Sequence, residues 1–368
     1  MATPAPALKR VDPVLRVFPT PALLSMPSAG LEISEHSLKH LSFSGHQGRL
    51  KLRSYGNSDL PSGLIVRGEI VDVEGLSREL KNFLPQVGTK YVHISLPEQK
   101  GYVFRMLIPK SGDLSVREAI EFRIEEHVPL PPSDIVFDWE VLPTESTETE
   151  HALNITAFPR STIEMYYAAV SEAGFVPLSF EIESQAAARA VVTPGDTNAQ
   201  MIVDFGETRT AIAVVEGGVV RFTTSLELAG GSLAAALKKS LGVSGAEAER
   251  LKNEEGIAGL GDGNKTAEAL MNITAALRDE INRHFVYWHT HGESSGAKHL
   301  PITAVVLCGG NANLRGLPEY LMQTMHVSVR IAEVWQNAFS FGAYIPPIPH
   351  NHSLRFATVI GLALRRST

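Results

Sequence analysis

The sequence predicts an α/β protein with a duplicated core arranged as two lobes. Three observations lead there. Two stretches, opening at Leu31 and Val203 and offset by about 172 positions, each follow a strand–turn–strand–hairpin–strand–helix order. That offset is far longer than a solenoid repeat. A section of different character, residues 89–160, lies within the first stretch and reads as an inserted α+β subdomain.

Residues 1–28 hold six of the 22 prolines and show neither period 2 nor period 3.6, so they read as an extended tail. The first repeat then occupies 29–88. Its opening Leu31–Leu38, a strand with a polar turn into a second strand, leads to a Gly-marked hairpin at Gly45-His46-Gln47-Gly48, a third strand and a helix from Val73. Within the insertion, Tyr91–Pro97 reads as a strand. Ser115–His127 reads as one helix with Ala119, Ile120, Phe122 and Ile124 inward, stopped by Pro129. Ile135–Val141 and Asn154–Phe158 read as a strand pair joined by the polar tip Glu145–Glu150. Residues 161–198 complete the first lobe. The second lobe spans 199–340, with a smaller subdomain at about 236–298. Its hairpin is Glu216-Gly217-Gly218, its helix starts near Gly231, and its strand Ile302–Leu307 follows a connector at Gly292–Gly296. Gly261–Lys265 is a turn between helices. Residues 341–368 form a C-terminal return segment.

Composition narrows the function. Lys and Arg total 33 against 40 Asp and Glu, a net charge of −7 with no basic cluster, which disfavours a nucleic-acid partner. A single cysteine, Cys308, excludes an internal disulfide and a multi-Cys metal site and suits a reducing compartment. No apolar run approaches the ~20 residues that span a bilayer, and no signal peptide is evident. A soluble cytoplasmic chain is expected.

Three segments carry candidate chemistry. Asp204-Phe205-Gly206-Glu207-Thr208-Arg209-Thr210 is a strand–turn–strand in which an aspartate suits hydrated Mg²⁺, Gly206 admits a phosphate, and Thr208 and Thr210 offer hydroxyls. Alone the pattern is weak and reads more readily as an ordinary polar hairpin with Gly at positive φ. Cys308-Gly309-Gly310-Asn311 ends a buried-type strand, where α/β sheets bind nucleotides; alone it is also a tight turn. It is neither a Walker loop nor G-x-G-x-x-G. Gly230-Gly231 opens a helix, and on the next Glu249 and Lys252 are i,i+3 neighbours able to reach one ligand or to pair with each other. His284, His289 and His291 match no metal-ligand spacing, and Cys308 reads as a small structural residue.

In this order the segments resemble the actin/Hsp70/sugar-kinase superfamily and, within it, the PilM family of type IV pilus assembly proteins. Ile94–Glu98, Glu118–Phe122 through Pro129, Val136–Leu142, Ala248–Lys252 and Gly361–Arg365 add to the match, which runs from Gly30 to Arg365. The resemblance implies an actin-like, FtsA-like two-lobed fold with ATP and Mg²⁺ in the cleft, the insertion being subdomain 1C. It assigns Glu32 and Asp204 to the metal. It assigns Ser34, Ser37, Lys39, Gly206, Thr208, Thr210, Gly230, Gly231, Glu249, Lys252, Gly309, Gly310 and Asn311 to the nucleotide. It further implies a partner, the cytoplasmic N-terminal tail of a PilN-like bitopic inner-membrane protein, docked between subdomains 1A and 1C. The chain would then meet the membrane only through partners, with self-association open. The first phosphate loop departs from the family's D-I-G-S-S-S-V-K: here it is Glu32-Ile33-Ser34-Glu35-His36-Ser37-Leu38-Lys39. Ser34 adds a side chain, and Glu35 a charge that repels a triphosphate. At most weak ATP hydrolysis follows. The alternatives are a nucleotide-free scaffold resembling GspL and a metabolic kinase. GspL-like proteins continue into a transmembrane segment, which disfavours the former, and no carboxylate base is marked for the latter.

Overall fold

In the computed structural model, residues 27–45, 50–110, 114–291 and 299–365 are described. Residues 1–26 of the expected tail and the tip of the first hairpin, residues 46–49, lie outside them, as do the whole 292–296 connector and the side chain of His291.

The first sheet is built from β1 (Ala29–Ile33), β2 (Ser37–Ser44), β3 (Lys51–Asp59), β6 (Tyr91–Leu96) and β10 (Val176–Ile182). Between β3 and β6 lie a short hairpin of β4 (Ile65–Val66) and β5 (Glu69–Ile70) and the helix α1 (Val73–Val87). The second sheet uses β11 (Ala199–Phe205), β12 (Thr210–Glu216), β13 (Val219–Leu226), β14 (Ile302–Cys308) and β15 (Ser328–Ile331). The strand orders are β3-β2-β1-β6-β10 and β13-β12-β11-β14-β15. In each, three antiparallel strands are followed by two added in parallel. The internal repeat is therefore a repeat of topology, and the 172-residue offset superposes Glu32 on Asp204 at the ends of the central strands.

Each repeat places a helix after its third strand for a local reason. In α1 the Asp72 carboxylate accepts the Gly75 amide at 2.8 Å, Gly88 closes the helix in the left-handed region, and Leu76, Leu80, Phe83 and Val87 form the buried stripe. Its counterpart α5 (Gly230–Leu241) is followed by α6 (Gly245–Glu254) and α7 (Lys265–His291), then α8 (Leu317–Met325).

The insertion is a three-stranded sheet, β7 (Tyr102–Pro109), β9 (Glu150–Pro159) and β8 (Ile135–Val141) in that order, covered by α2 (Val116–Glu121), with its own apolar core. Three expectations are corrected here. Tyr91–Leu96 is not part of the insertion: as β6 it joins β1 and β10 in the first sheet. Strand β7 is additional. The Ser115–His127 helix breaks after Glu121, where Arg123 (φ −119°) donates to the Leu107 carbonyl at 2.7 Å and a 3₁₀ turn restarts at Ile124. The break returns Ile124 to the core and leaves Phe122 77% exposed.

After β9, α3 (Arg160–Glu172) leads to β10 and then α4 (Glu183–Val191); near the C-terminus come the single turn α9 (His350–Ser353) and α10 (Ala357–Leu364). Helix α10 returns to pack on β1, β2 and α4. The crossing is so close that a Cβ on Gly361 would lie 1.7 Å from the Ala186 carbonyl oxygen. No helix among the described residues is long and apolar enough to cross a membrane.

Candidate functional site

The ends of β1 and β11 face each other across a cleft of about 530 Å³ between the lobes. On the first lobe the turn after β1 is held by Ser34, whose amide donates to the Ser37 carbonyl at 3.0 Å and whose hydroxyl lies 2.9 Å from that of Ser37. Lys39, the cross-strand partner of Glu32, is ion-paired with its Oε1. Glu32 Oε2 is buried without a hydrogen-bond partner among the described residues. On the second lobe the loop after β11 closes through the Gly206 amide, which donates to the Arg209 carbonyl at 3.0 Å. Gly309 (φ 88°) tucks beneath: a Cβ there would sit 2.4 Å from Asp204 Oδ1.

Glu32, Ser34, Ser37, Lys39, Asp204, Gly206, Thr208, Glu249, Lys252, Gly309, Gly310 and Asn311 all line this one cleft. Three candidates do not. Thr210 is fully buried, its hydroxyl donating to the Leu228 carbonyl at 2.6 Å. Gly230 and Gly231 donate their amides to the Gly206 and Glu207 carbonyls at 3.0 and 2.9 Å, so they brace the loop. Glu35 is absent from the lining while its neighbour His36 is present. Glu249 and Lys252 pair at 2.7 Å, with the Lys252 ammonium buried. Cys308 lies behind Asp204, and burial raises its thiol pKa well above normal, which fits the structural role.

Sequence reasoning missed Glu183, Arg209, Asn351, His352 and Arg355, which come from segments far apart in the chain. Only the charge of Arg209 inside the Asp204–Thr210 loop was a local signal. Arg209 reaches across the cleft floor to pair with Glu183 at the start of α4, and its other nitrogen donates to Gln99 Oε1 at 2.9 Å. Glu98 Oε1 accepts the Ser184 amide and the Thr223 hydroxyl, both at 2.9 Å. Burial pushes Glu98 up to about 7, with the Glu183 charge adding to the effect. Burial, then the charge of Glu32, pushes Asp204 up to about 7 as well.

A bound cation would reverse that shift. The orphaned Glu32 oxygen and the Asp204 carboxylate form a hard-oxygen donor set of the kind Mg²⁺ takes alongside phosphate. The residues present therefore fit a metal–nucleotide pair. Five carboxylates and four permanent cations line the cleft, so the metal's charge is needed beside a polyphosphate.

A second cavity, about 600 Å³, separates the first lobe from the insertion. Leu96, Phe180, Gln185 and Arg189 line one side, and Val136–Glu140 of β8 the other. Five consecutive residues of one strand line it, so β8 presents its edge, and it is an edge strand of its sheet. The Trp139 amide donates to the Asp138 carboxylate at 2.9 Å. Val219 and Val220 of the edge strand β13 close the far end.

Two lobes of identical topology around a cleft, with the end of each central strand in it, define an actin-like fold. Two actin-like structures share it at low identity. MreB5 of Spiroplasma citri bound to ADP has a TM-score of 0.52 and 12% identity, covering 91% of this chain and 94% of that one. The ethanolamine utilization protein EutJ of Carboxydothermus hydrogenoformans has 0.52 and 16%, covering 91% and 88%. The likeness to a PilM-PilN type IV pilus biogenesis complex is stronger: TM-score 0.74 and 22% identity, over 92% of this chain and 98% of that chain. Residues 30–367 match the family model of the type IV pilus assembly protein PilM, and the chain belongs to that family.

Proposed function

We propose that this protein is a nucleotide-binding assembly component of a type IV pilus machine that captures the cytoplasmic N-terminal tail of a PilN-like inner-membrane protein. The observation that carries the reading is the groove between the first lobe and the edge of β8. An extended tail entering it adds a strand to β8, displacing Asp138 from the Trp139 amide, while Leu96, Phe158 and Phe180 offer apolar surface for its side chains. The name of the similar complex, which pairs PilM with PilN, supports the choice of partner. Tethering of that partner to the membrane raises the tail's effective concentration, so modest intrinsic affinity suffices, and the chain sits at the inner face of the membrane through it.

In the cleft ATP binds with Mg²⁺. Asp204 and Glu32 hold the metal, which supplies charge compensation for the phosphates. Ser34, Ser37, Thr208 and Asn311 offer polar contacts, and the Gly309-Gly310 turn gives backbone access. The first phosphate loop carries the Ser34 side chain and the Glu35 charge, which disfavour a reactive triphosphate, so turnover is negligible. Calorimetry with ATP and Mg²⁺, beside a pull-down with the tail, tests both halves. Asp204→Ala weakens nucleotide binding more than Glu32→Ala. No heat at millimolar ATP from folded protein that still retains the tail would leave the nucleotide-free scaffold as the function.

A further inference from the structure

Of the four permanent cations lining the cleft, three are engaged. Lys39 is paired with Glu32, Arg209 with Glu183, and Lys252 with Glu249. A paired cation adds little net charge for a polyanion, and drawing it away exposes its carboxylate to the phosphates. Arg355 differs. It is exposed and has no ion pair among the described residues. Its position is set by the neighbouring residue, since the Gly309 amide donates to the Leu354 carbonyl at 3.1 Å. Asn313 Nδ2 donates to the Asn351 carbonyl at 2.6 Å and pins the same segment. A Cβ on Gly310 would lie 3.8 Å from that of Arg355, so the side chain starts at the very turn that offers backbone to a nucleotide. His352 accompanies it in the lining, and His36 faces the cleft from the opposite lobe.

We propose that Arg355, carried by the C-terminal return segment, is the residue that attracts and positions the polyphosphate of a bound nucleoside triphosphate. This rests on the nucleotide-binding reading of the cleft. A planar guanidinium suits the role because it engages phosphate oxygens through two parallel N–H donors. It also places a phosphate contact on the segment that runs directly into α10, the helix packed against the first lobe. Nucleotide binding is thereby tied to the fixation of that segment.

The test is ATP affinity of the full chain with Mg²⁺, by calorimetry, for wild type, Arg355→Gln and Arg355→Lys at low and high salt. Arg355→Gln is expected to weaken ATP binding about tenfold, as for loss of a bidentate but solvent-exposed phosphate contact, and to flatten its salt dependence. Arg355→Lys recovers part of the affinity and keeps the salt dependence, because the charge remains. The unliganded melting temperature stays that of wild type in both. Unchanged ATP affinity or an unchanged salt slope in Arg355→Gln overturns the inference while leaving the cleft reading intact. A lowered unliganded melting temperature assigns Arg355 a structural role and overturns it too. Wild type that binds no ATP overturns the cleft reading itself.

Discussion

Arg209 of the second lobe is ion-paired with Glu183 of the first, across the floor of the cleft. Both side chains are nearly buried, and Glu183 begins the helix whose later residues Gln185 and Arg189 line the groove under the insertion. One helix thus has its first turn in the cleft and its body in the groove.

Breaking this pair strands a buried charge. Arg209→Ala should destabilise the fold by about 3 kcal/mol, and the double variant Arg209→Met/Glu183→Leu by less than Arg209→Ala alone. Urea unfolding measures both. A single-variant cost under about 1 kcal/mol would mean that the pair is solvated and the lobes are not latched there.

The elevated pKa of Glu98 fixes a sign for pH dependence. With a folded value of about 7 against 4.5 in the unfolded chain, the native state holds the extra proton between those values. Its contribution to stability therefore falls as pH rises through that window and is flat above it. Buried His40 and His93, lowered to about 4 mainly by burial, act in the opposite direction below 6.5, so the wild-type profile alone mixes the two. Subtraction against Glu98→Gln separates them: the variant should gain on wild type by on the order of 1–3 kcal/mol from pH 4.5 to 7. A flat difference profile would place Glu98 in contact with water.

Much of the architecture was legible because its signals are local. Period-2 strands and Gly-marked hairpins recur in both halves, and the same offset pairs Glu32 with Asp204. What was not legible depends on distant partners. Tyr91–Leu96 looks alike in an insertion or in a central sheet until its parallel pairing with β1 is known. Phe122 fits a helical stripe until Arg123 turns to the Leu107 carbonyl. Thr210 carries the right hydroxyl, yet strand alternation turns it away from the cleft, to the Leu228 carbonyl. Glu183 and Arg355 reach the cleft from segments far apart in the chain, and nothing in their sequence neighbourhoods marks them.

The crossing of α4 and α10 leaves no room at Gly361. Gly361→Ala forces a Cβ to 1.7 Å from a backbone oxygen that no rotamer change can relieve. It should cost more than about 2 kcal/mol in thermal unfolding, despite the higher helix propensity of alanine. A stabilised variant would show that the helices do not cross this closely.

Asp138 competes with any strand added to β8 by occupying the Trp139 amide. Asp138→Ala should tighten binding of the tail by about three- to tenfold, the worth of one hydrogen bond no longer displaced. Weaker binding would instead make the carboxylate a direct contact to the tail.

Hydrogen exchange of the full chain with and without the partner's tail peptide tests the central claim most directly. Tail binding should slow exchange at the edge of β8 around Phe137 and Trp139, and at Val219 and Val220 of β13, while leaving β15 unchanged. Protection confined to other surfaces, with those amides unaffected by saturating peptide, would contradict capture in this groove.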